Sequence, residues 1–389
     1  MKRTSITKTI LSLLTLALFI SFTACRDDVE LNLSEETDLD KPETIVEYKG
    51  FYLLNEGNMG TNKATLDFFD FETGKYKQNI YAERNPNVPK ELGDVGNDIG
   101  IYDGKLYAVI NTSNKVEVMD AVTTKRIGQI DIPNCRYIKF HEGYAYVTSY
   151  AGPVEFDPDY KQKGFVAKIN TITLEQEATC TVGFQPDELE IVNGKIYVAN
   201  SGGYMGAGST EGYERAVSVI DIETFKEEKR IEVAPNLHRI KADKRGNLWV
   251  TSRGDYMGTN PAQVYFIDKD KQEVTDTIDV VVANYWLDDD FLYTYGVDWS
   301  QGGTISYNII DTKTHKVIKD QIITDGTDKE IEMPYGIMVH PETKDIYITD
   351  GGNYVTTGLV YSFDKEGKKK WVVEAGDIPA HFALLPDDK

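Results

Sequence analysis

The chain has 389 residues, with 42 Lys and Arg against 63 Asp and Glu, a formal net charge of −21. So acidic a surface repels phosphate backbones and anionic membrane faces, which argues against nucleic acid as a partner. A hydrophobic share of 41% is enough for a sizeable core, and three cysteines are too few for a disulfide-dense scaffold.

The chain opens on Lys2, Arg3 and Lys8, followed by the apolar run Ile10 to Phe22. That run is short for a transmembrane helix and ends at small residues, so residues 1–24 read as a signal peptide. The junction Phe22-Thr23-Ala24-Cys25 resembles a bacterial lipobox, in which the cysteine is acylated and becomes the new N-terminus. Loss of residues 1–24 removes three basic residues and no acidic one, leaving −24. Each buried methylene of the acyl chains contributes about 0.8 kcal/mol, so lipidation at Cys25 tethers the protein to a membrane without spanning it. The cluster Asp27-Asp28-Val29-Glu30 resembles a signal that exports lipoproteins to the outer face of the Gram-negative outer membrane. Residues 25–46 read as an acidic, flexible tether.

From residue 47 to 389 one strand grammar repeats. Its centres are Tyr52-Leu53-Leu54, Tyr107-Ala108-Val109, Tyr146-Val147-Thr148, Tyr197-Val198-Ala199, Trp249-Val250-Thr251, Tyr293-Thr294-Tyr295 and Tyr347-Ile348-Thr349. Hairpin signals such as Asp103-Gly104-Lys105 and Asn193-Gly194-Lys195 precede them. A further strand follows each, ending at Asp70, Asp120, Asn170, Asp221, Asp268, Asp311 or Asp364, and a fourth strand comes after. Four antiparallel strands repeated seven times predict an all-β, seven-bladed β-propeller. The segment Ile378 to Leu385 has the form of an innermost strand with no blade after it. The first blade begins at Tyr48 without an innermost strand, so pairing the two closes the ring and removes an open edge. Cys135 and Cys180 fall on the inner and outer strands of one blade, too far apart for a disulfide, and are expected as free, buried thiols.

Loops joining second to third strands share a face with the connections between blades. On that face the loops are rich in Gly and aromatics, whereas the opposite hairpins, such as Asp288-Asp289-Asp290, are short and charged. Function is therefore expected on the first face. Its loop candidates are Tyr150, Tyr204, Met205, Tyr256, Met257, Trp299 and Tyr354. Near the axis, the inter-blade connections add Asn97, Asp98, Arg136, Tyr137, Gln185, Asp187, His238, Arg239, Tyr285, Trp286, Tyr335, His381 and Phe382. Aromatic walls with a few polar groups suit a large, mostly neutral organic ligand. They suit a phosphate or a free metal poorly.

No Walker loop, zinc spacing, EF-hand loop or nucleophile elbow is present, so neither a catalytic residue nor a metal site nor a catalytic cofactor is expected. His141, His315 and His340 fall at hairpin ends and read as solvated. His238 and His381 lie near the axis, where a satisfied hydrogen-bonding role is the simpler reading. Asp94, Asp98, Asp187 and Glu188 are carboxylates without ligand spacing.

With the lipobox Cys25, the acidic tether and seven YncE-like blades, the chain resembles the BtuG-type surface lipoproteins over essentially its whole length. The resemblance implies a non-enzymatic protein that binds vitamin B12 (cobalamin) as ligand, not as cofactor. It also implies a seat over a BtuB-type TonB-dependent outer-membrane transporter, with the protein monomeric apart from that complex, lipid-anchored and facing the cell exterior. The candidate contact residues rest on loop position, not on the resemblance. Two other classes are compatible with the residues: a glycan-binding surface lipoprotein, whose Tyr and Trp platforms stack sugars, and a propeller lyase or hydrolase using His238 or His381.

Overall fold

Each aromatic-centred strand of the repeat is the second strand of a four-stranded antiparallel sheet, and seven such sheets stand around one axis as a β-propeller. The computed structural model describes residues 34–42, 47–88, 91–153, 161–204 and 212–387. The signal peptide, Cys25 and Met205 lie outside the described residues. The innermost strands of blades 2 to 7 are Gly96–Tyr102, Cys135–His141, Pro186–Val192, Leu237–Ala242, Asn284–Asp288 and Pro334–Val339. Blade 1 takes its innermost strand from Pro379–Pro386, which pairs antiparallel with Tyr48–Asn55, Leu53 opposite Phe382. The ring closes as the sequence predicts.

One difference concerns the acidic stretch before the propeller. Glu36–Asp38 forms a fifth strand of blade 1, antiparallel to Lys75–Lys77, with Glu36 opposite Lys77 and Asp38 opposite Lys75. Glu36 is ion-paired to both lysines, and the Trp371 indole N–H donates to the Asp40 carbonyl at 3.1 Å. Opposite charges facing each other across the two strands set this pairing, so residues 36–40 are docked rather than part of a loose tether. A five-residue helix, Ile80–Arg84, leads from blade 1 to blade 2 and buries Ile80 and Tyr81. No helical period of that length shows in the sequence.

Burial explains the strand grammar. A blade is packed between two neighbours, so its middle strands are covered on both faces and read as continuous apolar runs, as in Leu106 to Ile110. The outer strands of blades 2 to 5 keep only isolated anchors, Ile130, Cys180, Ile231 and Ile278, whereas that of blade 7 turns Trp371, Val373 and Ala375 inward. The buried hydrophobics fall into seven clusters, each bridging two adjacent blades. The closing interface between blades 7 and 1 is as complete as the rest, with Phe51, Phe69, Tyr347, Trp371 and Phe382 in edge contact.

All seven predicted turn residues do the same work between third and fourth strands. Each Oδ1 accepts backbone N–H groups two or three residues on, for example Asp120 from Thr123 at 2.7 Å and Asp311 from Lys313 and Thr314 at 2.8 Å. Asp70, Asn170, Asp221, Asp268 and Asp364 repeat this. A short acceptor at this point replaces the ladder just where the chain must reverse. Cys135 and Cys180 are free and buried. The Cys135 thiol donates to the Lys115 carbonyl at 3.3 Å, and burial pushes its pKa up to about 12.

Candidate functional site

The site is built by a defect in the sheets. In blades 3, 4, 5 and 7 the innermost strand starts with a bulge in which two residues oppose one on the second strand. Arg136 and Tyr137 face Thr148, Asp187 and Glu188 face Ala199, His238 and Arg239 face Thr251, and Tyr335 and Gly336 face Thr349. A bulge re-aims side chains, and it places successive large polar residues around the axis at one end of the channel. The freed amides are met by threonine: Tyr137 N–H donates to Thr148 Oγ1 and Arg239 N–H to Thr251 Oγ1, both at 3.0 Å, and Gly336 N–H to Thr349 Oγ1 at 2.6 Å. Thr148 then donates across the blade boundary to the Asp187 carbonyl at 2.9 Å.

A cavity of about 290 Å³ opens at this end. Of the predicted residues it brings together Asn97, Arg136, Tyr137, His238, Arg239, Tyr256, Trp299, Tyr335 and Tyr354. Sequence reasoning missed Glu56, Arg253, Asn284 and Tyr295, which line it as well. Glu56 and Arg253 share a signal, a charged residue directly before a glycine of positive φ (Gly57 at 73°, Gly254 at 66°). At Gly254 a Cβ would stand 2.2 Å from the Asn260 carbonyl oxygen, so only glycine allows the turn that leaves Arg253 at the rim.

Asp187 is the hub beneath the cavity floor. It is fully buried and receives Tyr150 Oη at 2.6 Å, His238 Nδ1 at 3.0 Å, Arg253 Nη1 at 2.9 Å and Arg136 Nη2 at 3.4 Å. Burial alone would raise its pKa, but Arg253, His238 and Arg136 hold it well below the usual carboxylate range. His238 is pushed far below its ordinary value by burial and then by Arg253 and Arg239. It is neutral, with Nδ1–H donating to Asp187 and Nε2 facing Arg253 Nη2 at 3.3 Å. Arg136 lies over the Tyr150 ring at 4.7 Å and Arg239 over Tyr137 at 5.0 Å. On the other wall Glu56 accepts from Tyr335 Oη at 2.9 Å and pairs with His381 Nε2 at 3.1 Å.

The remaining candidates stand elsewhere. Asp98, Trp286 and Phe382 line a second cavity, about 340 Å³, farther along the same innermost strands. Blade 6 has no bulge, so strict alternation sends Tyr285 into its interface with blade 5, where its hydroxyl donates to the Trp249 carbonyl, and carries Trp286 past the mouth. Asp98 accepts the Ile138 N–H at 2.9 Å and Glu188 the Ile240 N–H at 3.0 Å, so both clip one blade to the next. Burial raises the Asp98 pKa. At Glu188 burial is outweighed by Lys241, Arg239 and Lys139, and the value falls to about 2. Gln185 fastens a loop through the Tyr204 N–H at 2.9 Å, and Met257 is 86% exposed on the rim. His340 corrects its expectation. It is fully buried, and its Nδ1 accepts from the Glu342 and Thr343 amides at 3.1 and 3.3 Å. His315 packs on Trp249 and Phe266. Among the described residues no three of His, Cys, Asp and Glu converge as metal ligands.

A family model described as a domain of unknown function, DUF5074, matches residues 49–378. No curated protein matches the sequence. Among solved structures, the periplasmic gluconolactonase of Pseudomonas aeruginosa has a TM-score of 0.59 at 12% identity, covering 86% of this chain and 99% of its own. A quinoprotein alcohol dehydrogenase-like protein from Bacteroides thetaiotaomicron gives 0.56 at 16%, covering 87% and 78%. Apo AztD from Citrobacter koseri gives 0.51 at 11%, covering 88% and 100%. At these identities the likeness is one of fold.

Proposed function

The chain belongs to the DUF5074 family, and from that premise we propose that it is a lipid-anchored outer-membrane capture protein for cobalamin, working with a TonB-dependent transporter. One observation carries the reading. The loops of a single face present a broad apolar rim, with Met59 66%, Tyr256 48%, Met257 86%, Trp299 53% and Val355 66% exposed, around a polar pit. A wide, flat ligand with amides on its edge would lie across such a rim and send its polar groups inward. Isolated exposed apolar residues need no explanation, but five on one face do. His238, the histidine that lines the pit, has one ring nitrogen on Asp187 and the other facing Arg253, so neither is open to a substrate, which favours holding over turnover. The lipidation at Cys25, the exterior location and the transporter are part of the same proposal.

The test is surface plasmon resonance of cyanocobalamin over a soluble form starting at Asp27. The expected result is one-to-one, sub-nanomolar binding, weakened at least tenfold by Trp299→Ala or Tyr256→Ala. A Kd above about 1 μM, against the roughly 12 kcal/mol of a nanomolar complex, would sink the reading. Binding of glycans without corrinoid would replace it by sugar recognition.

A further inference from the structure

The mouth cavity is cationic inside an anionic protein. Three arginines line it, Arg136, Arg239 and Arg253, with Glu56 the one carboxylate among its lining residues. Asp187 below is shared by Arg136 and Arg253, and Glu56 is already engaged by Tyr335 and His381. That leaves Arg239. Its residue is 8% exposed, its Nε is enclosed, and its guanidinium has no hydrogen bond or close ion pair among the described residues, with Glu188 and Asp98 acting on its charge only from farther off. The Nε of Arg136 is likewise enclosed and unbonded. A guanidinium does not lose its proton to escape burial, and stacking on Tyr137 replaces only part of its hydration. In native structures a buried polar group without a partner calls for an explanation, and at the floor of an open cavity a bound anion supplies one.

We infer that the floor of the mouth cavity is an oxyanion subsite, in which Arg239, flanked by Arg136 and Arg253, receives a phosphate or carboxylate group of the captured molecule. The planar guanidinium presents a fork of donors to two oxygens, which a lysine or an amide cannot copy. Asp187 keeps Arg136 and Arg253 in place without using up their charge. On the corrinoid reading, on which this assignment of the anion rests, the group is the ligand's phosphodiester. The subsite itself stands on the arginines alone. It also amends the expectation from sequence that the mouth suits neutral ligands.

The experiment uses the mature protein and Arg239→Gln, with Arg239→Lys as the charge-preserving control. Thermal unfolding is followed at constant ionic strength with inorganic phosphate and, separately, succinate. Wild type is expected to be stabilised by one of the two, which identifies the class of oxyanion, and Arg239→Gln to lose that response. Arg239→Lys should keep a weakened response. An Arg239→Gln protein that melts lower yet responds to anions as before would show a packing role and overturn the inference. In a second arm, Arg239→Gln should weaken cyanocobalamin about 10- to 100-fold, the range for a charged hydrogen bond, and leave dicyanocobinamide, which lacks the phosphodiester, unchanged. Cyanocobalamin binding untouched by the substitution would remove the subsite and leave capture standing. An Arg239-dependent anion response without any corrinoid binding would do the reverse.

Discussion

His238 has both ring nitrogens engaged, one on Asp187 and one facing Arg253, and His340 uses Nδ1 as an acceptor for two amides. Each is therefore needed neutral, and burial lowers both pKa values in the folded state. The unfolded chain takes up these protons near pH 6.5 while the folded chain does not. Stability is then complete above that pH and declines as pH falls below it, by up to about 1.4 kcal/mol per unit for each histidine. Thermal unfolding from pH 7.5 to 5 should show this slope, and His340→Gln should flatten it. A slope unaltered in the variant would count against the assignment. Asp187 works with the opposite sign. Its folded pKa is depressed, so its contribution holds above the ordinary aspartate range and fades only under strong acid. Asp187→Asn at neutral pH strands two guanidinium groups and is expected to cost about 3–5 kcal/mol, measurable by urea denaturation.

The working element of this fold is the bulge with its threonine. Thr148→Val removes both the acceptor for the Tyr137 amide and the donor to the Asp187 carbonyl, at about 1–3 kcal/mol for the polar groups left bare. Thr294 stands on the second strand of blade 6, which has no bulge, one place before the position that Thr148 holds in blade 3, and makes one long contact to the Asn308 carbonyl at 3.3 Å. Thr294→Val should be close to neutral, and equal losses for the two variants would remove the threonine from the account of the bulge. The same element marks how far sequence could be read. Tyr146-Val147-Thr148 and the Asp or Asn turns are local signals, so strands and turns were legible one by one. A register shift belongs to two strands together and leaves no trace in either. That is why Asn97 and Arg136 fall at the mouth as expected while Asp98, Tyr285, Trp286 and Phe382 do not. The unpaired state of Arg239 was invisible for a related reason, since it depends on which neighbours are already committed elsewhere.

At the scale of the whole molecule, seven apolar interfaces of one kind make a ring with no privileged blade. Stability should therefore be lost as a unit. Truncation after Gly376 removes the strand Pro379–Pro386, and with it the pairing to Tyr48–Asn55 and the Phe382 share of the closing interface, and a broad, non-cooperative melt is expected by calorimetry. Removing residues 26–40 takes away the exposed edge strand Glu36–Asp38 with the Leu39 and Asp40 contacts beside it but no strand that closes the ring, and a sharp transition should survive. A truncated chain that still melts sharply would mean the ring is held without its clasp.

The clasp also sets an order in time. Tyr48–Asn55 is made early and its partner Pro379–Pro386 hundreds of residues later, so the pairing of Phe51 with Leu384 is among the last contacts a growing chain is able to form. Loop closure over such a span is slow, and until it happens blade 1 keeps a bare inner edge ready to recruit a strand from another copy. Arrival of the strand Pro379–Pro386, rather than accumulation of blades, is thus the event that ends the period of risk, and a copy terminated before it would be left with an adhesive edge.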